Sequence, residues 1–365
     1  MKQKVRGYLL PVFYLLAAVS LFFIQVHSAN SAADTLPCAV KIEASGAQNV
    51  RMDVLERLRK NDNNVLVVSG ETCVSETVTD STKALFADAD IIYTNSEYGV
   101  LMPLDFICGG WYSSLTASAV ISDDLSITLF QTTQSEGRTF MIGENAVTVA
   151  GVYRTPSGFA ADFSSSGRPV IFAPYTAAEN FGSLAVSFVC VSGSETTSAV
   201  QFIDSLARRE GIALSNRITD DYREAARFLR QFPWLSLELC GFLLACTLLI
   251  FGNGALRGEE KGKRITAFCC LGGGVLLLLS LVSIPLFWPS SFLPADAIFD
   301  FSHYYEVILE NVRTHSQAGM GIGVWGYSSL SILINALLMF AIGGLFWIGV
   351  HQIRRRLQIE WIQKQ

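Results

Sequence analysis

Four histidines, His27, His303, His315 and His351, are scattered along the 365-residue chain, and no spacing among them gathers a metal-binding group. Two acidic pairs, Asp123-Asp124 and Asp220-Asp221, have the composition for general acid–base work. Each falls where a helix should begin, and there carboxylates match the positive end of the helix dipole. The run GEEKGK at residues 258–263 departs from phosphate-loop spacing and follows an apolar segment, not a strand. Any ATP must therefore be hydrolysed by a partner. Neither a GxSxG elbow nor an HExxH pair occurs. No catalytic, cofactor-binding or metal-binding residue is expected, and an enzyme reading fails.

Sulfur and one carboxylate remain. Of eight cysteines, Cys38, Cys73, Cys108 and Cys190 lie in the polar 28–233 segment, while Cys240, Cys246, Cys269 and Cys270 lie in or beside apolar runs. The first four are candidates for two disulfides, with three pairings open, or are small core-filling thiols. Glu238 is the one acid inside an apolar run. It is either part of a polar path or dimer contact within a membrane, or a side chain reaching water near Trp234.

Half the residues are hydrophobic and only 16% are charged, a composition that calls for membrane segments. Four runs, 8–26, 235–251, 267–288 and 327–350, have roughly the 17–25 residues that cross a bilayer. Bases flank them: Lys2, Lys4 and Arg6 before the first, Arg257, Lys261, Lys263 and Arg264 between the second and third, Arg354, Arg355, Arg356 and Lys364 after the fourth. The positive-inside rule places those segments, 1–7, 252–266 and 351–365, in the cytoplasm. The result is a multi-pass protein of the cytoplasmic membrane with both termini inside and lipid as its surroundings. Residues 27–234 are left outside, and within 28–233 there are 24 Asp/Glu against 15 Lys/Arg. With a net charge of −5, no nucleic-acid partner is expected. A rival reading makes the first run a signal peptide cleaved near the small residues 28–33, but its apolar core is longer than usual, which favours a retained anchor.

The outside segment is long enough for its own core. Alternation at 39–44, an amphipathic helix at 50–60 with Val50, Val54, Leu55 and Leu58 on one face, and a strand at 65–69 make a β-α-β unit. A strand at 184–191, a helix at 197–210 and a strand at 212–217 make another. Between them a β-rich insert at 113–180 shows strands at 139–142, 146–153 and 169–173, the first two hinged at Gly143. The expected class is α+β: four membrane helices arranged one plus three, carrying a domain of two β-α-β halves and a β-rich insert. A second outside loop, 289–326, should hold a helix at 296–312 with Phe301, Tyr304, Tyr305, Ile308 and Val312 on one face. That helix would lie on the bilayer or brace the domain, or it is a plain loop helix.

Several stretches of this domain resemble one family in order and spacing. SEYGVLMPLDFICGGWYSS (96–114), SAVISDDLSITLF (118–130), GRTFMIGENAVTVAGVYR (137–154) and PVIFAPYTAAENF (169–181) are similar to successive elements of permeases of the MacB/FtsX type. The resemblance implies a MacB-like periplasmic core domain, a homodimer or a heterodimer with a related permease, and a cytoplasmic ABC-type ATPase whose motion is transmitted to the outside, for export or envelope substrate handling. The chain departs from the family at 252–266, where four glycines and a short span leave little room for the helix that docks on an ATPase. Either Arg257, Lys261, Lys263 and Arg264 still form the ATPase contact, or they only set topology. In the latter case the protein is a non-transporting, membrane-anchored scaffold recruiting an extracytoplasmic partner.

Overall fold

The structure, a computed structural model, describes residues 2–43, 67–95, 97–112, 117–155, 167–178, 188–192, 208, 219–256, 261–281, 302 and 322–362. They form two compact units, one of helices (residues 1–33, 227–288 and 332–365) and one of mixed structure, here called the head (residues 34–226 and 289–331).

Among the described residues the head is built on one ten-stranded sheet. Its strands are β1 (Val40–Glu43), β2 (Val67–Asp80), β3 (Phe86–Thr94), β4 (Phe106–Gly109), β5 (Ser118–Ser122), β6 (Thr139–Ile142), β7 (Asn145–Tyr153), β8 (Val170–Pro174), β9 (Phe188–Ser192) and β10 (Thr219–Asp221). Two short helices, α2 (Tyr98–Leu101) and α3 (Asp123–Phe130), belong to the head as well. At one end the order is β10-β1-β9-β2, every neighbour antiparallel. The first strand of each expected half thus sits between strands of the other, as in split β-α-β folds. The helices expected at 50–60 and 197–210 lie outside the described residues, apart from helical Arg208, as does the strand expected at 212–217.

The β-rich insert expected at 113–180 is not a separate sheet. Strand β2 pairs with β3, β3 with β8, β8 with β5, β5 with β7, β7 with β6, and β6 returns to β2. The pairing closes a six-stranded barrel, which removes open edges, and its first two strands come from upstream of the expected insert. Every strand contributes to the interior: Val78, Ile91, Ile171, Ile121, Val149 and Phe140 are buried in one cluster with Leu125 and Leu129 of α3. Burying each large side chain contributes roughly 1.5–3 kcal/mol. A bulge at Ala150 shifts register between Val149 and Gly151, so Val149 and Val152 both point inward despite their odd spacing. Gly143 opens the two-residue β6–β7 turn at φ +58°, the left-handed start that a type II′ turn requires.

The barrel's other face is also covered. Phe172 of β8 lies 5.4 Å from Trp111, 5.7 Å from Tyr98 and 5.7 Å from Tyr153, ring centre to ring centre. Where β4 crosses β7 there is no room for side chains. A Cβ on Gly109 (φ +66°) would come within 2.1 Å of the Ala150 carbonyl, and one on Gly151 within 2.6 Å of Gly110.

The helical unit is built from α1 (Lys2–Thr35), α4 (Tyr222–Leu256), α5 (Lys261–Leu281) and α6 (Ile322–Ile362). Among the described residues, three segments, Leu9–Thr35, Tyr222–Asn253 and Tyr327–Arg356, are long and apolar enough to cross a membrane. All three outrun the expected spans because polar turns continue each helix. The expected span 267–288 is helical as far as Leu281, with its apolar stretch at Ala267–Leu276, and residues 282–288 lie outside the described ones. The expected loop 252–266 is mostly helical: α4 runs to Leu256 and α5 starts at Lys261. The helix expected at 296–312 lies outside the described residues, save helical Ser302.

Candidate functional site

Two places in this architecture hold together elements that are far apart in sequence. The first is a joint inside the head, where the chain enters at β1 and leaves at β10. Only Leu36–Ala39 separates the end of α1 from β1, and nothing separates β10 from α4. Those two strands are partners, with Val40 opposite Asp221 and Ile42 opposite Thr219. The Tyr222 amide donates to the Ala39 carbonyl at 3.2 Å, and the Cys38 amide to the Leu101 carbonyl of α2 at 2.8 Å. Asp221 starts α4 by accepting from the Arg223 amide at 3.0 Å. Its carboxylate also takes a two-pronged bond from the Arg223 guanidinium at 3.0 and 3.1 Å. The pair is largely buried, with side-chain exposures of 5% and 13%. Such a pair is costly to break from one side only. Beside the joint, the Thr35 hydroxyl donates to the Tyr327 hydroxyl at 3.1 Å, tying the end of α1 to the start of α6.

The second place is a polar node among the helices. Gln25 of α1 is fully buried. Its side-chain amide donates to the Asn335 backbone carbonyl of α6 at 2.9 Å, and its carbonyl accepts from the Ser236 hydroxyl of α4 at 2.6 Å. One residue thus bonds three helices inside an apolar setting, where polar side chains act as interhelical glue. Small residues complete the packing. A Cβ on Gly343 would lie 2.6 Å from Leu239, one on Gly349 3.0 Å from Leu15, and one on Gly274 2.9 Å from Leu249.

The expected site residues fall as follows. Glu238 is half-buried on α4, two residues beyond Ser236, and its Oε1 is shielded with no hydrogen-bond partner among the described residues. Lys261, Lys263 and Arg264 lie in the first turn of α5, and Arg257 lies outside the described residues. Cys38 and Cys108 are free thiols, the first exposed and the second half-buried, and Cys73 is half-buried as well. The Cys108 Sγ–H donates to the Thr133 carbonyl at 3.4 Å. Cys190 is on β9 opposite Ser69, its side chain outside the described residues. The pair Asp123-Asp124 starts α3: Asp123 accepts from the Thr155 amide at 3.0 Å and hydroxyl at 2.6 Å, and Asp124 from the Leu125 amide at 2.9 Å. Among the described residues no group of His, Cys, Asp and Glu is placed to hold a metal. Sequence reasoning missed Gln25, Ser236 and Asn335. Amides inside apolar runs were the available signal, and a search for charged residues alone passes over them.

A barrel fused to an interleaved sheet, entered and left by apolar helices, defines a polytopic membrane protein with a folded head. Residues 15–209 match the family described as MacB-like periplasmic core domain. The match covers more than half of the chain, and the chain belongs to that family, the permeases of ABC-type transporters of the MacB/FtsX kind. Among solved structures, the extracellular domain of the noncanonic ABC-type transporter YknZ from Gram-positive bacteria is similar at 16% identity, over 50% of this chain and 98% of that one, with a TM-score of 0.39. The periplasmic region of MacB from Actinobacillus actinomycetemcomitans is similar at 14% identity, over 50% and 88%, with a TM-score of 0.40. No curated protein matches the chain.

Proposed function

We propose that the chain is the membrane subunit of an ABC-type transporter that transmits ATPase-driven motion to the head, for export or handling of an envelope substrate. Four helices cross the cytoplasmic membrane, both termini are cytoplasmic, the head is outside, and the unit works as a homodimer or with a related permease. The observation that carries this reading is the joint. Strands β1 and β10 are hydrogen-bonded to each other, and each is the near-direct continuation of an apolar helix. A displacement of α1 against α4 therefore acts on paired strands without a slack linker between them. ATP is hydrolysed by a cytoplasmic partner that meets Arg257, Lys261, Lys263 and Arg264. Gentle solubilisation and pull-down of the tagged protein is expected to recover an ABC-type ATPase. Replacing the four bases with serine is expected to lose that partner while topology is kept. Recovery of no ATPase would remove the coupling.

One observation favours a second reading, a membrane-anchored scaffold that recruits an extracytoplasmic partner. Helices α4 and α5 leave only residues 257–260 between their described ends, too few for a transverse docking helix. Under that reading the serine variant keeps full activity.

A further inference from the structure

The first half of α1 and the second half of α6 meet at one end of the helical unit. Gln25 bonds Asn335, and Gly349 packs on Leu15 and Pro11, so α1 and α6 run antiparallel. Arg354 is five residues beyond Gly349 and Arg6 is five residues before Pro11. At about 1.5 Å per residue both lie about 7.5 Å past the same contact, on the same level. That level carries Lys4 and Arg6 on α1 and Arg354, Arg355 and Arg356 on α6. Residues 2–33 and 322–359 contain no Asp or Glu, and Glu360 of α6 comes one turn beyond Arg356. Topology-setting charge needs only exposed bases, but Arg354 is different. Its Nε is shielded from solvent and has no hydrogen-bond acceptor among the described residues. A shielded N–H left without an acceptor is costly, and an arginine fork matches a phosphate. About two turns back along the helix, the Trp347 ring stacks on that of His351 at 6.1 Å and 21°. Tryptophan is enriched at the headgroup level of a bilayer.

We infer that Arg354 and Arg355 form a binding site for the phosphate of an anionic phospholipid at the rim of the helical unit. The test uses the full-length chain purified in mild detergent and offered equimolar phosphatidylglycerol and phosphatidylcholine, with retained lipid counted by native mass spectrometry. The wild type is expected to hold phosphatidylglycerol in preference, and Arg354→Gln to lower that preference about fivefold, the value of one base near an anionic surface. Arg355→Gln alters an exposed residue, and it carries the same expectation if Arg354→Gln fails to accumulate. Serine replacements at Lys261, Lys263 and Arg264 are expected to leave the preference unchanged. Equal retention of the two lipids by the wild type, or an undiminished preference in both arginine variants, would overturn the site.

Discussion

The Ser236 hydroxyl donates to the side-chain carbonyl of Gln25 across 211 positions of sequence, at 2.6 Å and out of reach of water. Because the Gln25 amide is also engaged by Asn335, rotation or sliding of α1 against α4 and α6 must break two hydrogen bonds at once. Interhelical bonds of this kind average about 0.6 kcal/mol and reach about 1.7. Gln25→Leu should therefore destabilise the purified protein by about 1–3 kcal/mol, read as a lowered melting temperature in detergent. Ser236→Ala should cost about half as much. An unchanged melting temperature in both variants would show that the node holds nothing.

The crossing of β4 and β7 has an internal control. Gly109→Ala and Gly151→Ala each force a methyl into backbone atoms, at 2.1 and 2.6 Å, whereas a Cβ on Gly110 meets nothing within 4 Å. Overpacking costs about 1–3 kcal/mol, and the left-handed φ of +66° at Gly109 adds roughly 1–2. In a urea titration of the three variants, Gly110→Ala should be near neutral. Three equal midpoints would mean the crossing is looser than described.

Breaking the Asp221–Arg223 pair from one side leaves a shielded charge beside the β10–α4 junction. Asp221→Ala is expected to cost about 3 kcal/mol, and it also removes the acceptor for the Arg223 amide. The double variant Asp221→Ala/Arg223→Ala should recover part of the loss, and strict additivity would argue against the pair.

Burial pushes the Tyr153 hydroxyl well above its ordinary value of 10.0, and the nearby Asp124 and Asp123 charges push the same way. A folded value above the unfolded one means that the contribution is fully present below pH 10.0 and declines as pH rises past it. The head should lose stability in alkali, and Tyr153→Phe should flatten that decline. Tyr112, raised by burial as well, keeps part of the slope. A profile identical in wild type and Tyr153→Phe would exclude Tyr153 as a source.

Exposed Cys38 reports which side of the membrane the head occupies. A membrane-impermeant maleimide is expected to label it in intact cells, ahead of the half-buried Cys108, whose thiol is bonded to Thr133. Labelling of Cys38 only after lysis would put the head in the cytosol.

Some of this was plain in the residues and some was not. The β6–β7 hairpin could be read because TFMI and NAVTVAGVY alternate and a glycine sits at the turn. Strands β2 and β3 were not read past residue 69, because GETCVSETVTD and FADAD look like loop. Their polar residues are in fact cross-strand partners, Ser75 with Asp90 at 2.7 Å and Thr77 with Asp88 at 2.6 Å. The closure of the barrel and the interleaving of β1 and β9 depend on pairings across many tens of residues, which local periodicity does not encode. The polar node was visible as amides in apolar runs, yet nothing local links Gln25 to residues more than 200 positions away.

The pairing of Val40 with Asp221 puts the way in and the way out of the head side by side on adjacent strands. Neighbouring ends are what make a domain portable. The two ends stand close enough that a few glycines should join Cys38 to Asp221. Nature has the same freedom, since an ancestral helical hairpin could have acquired such a head by one insertion without disturbing its own packing.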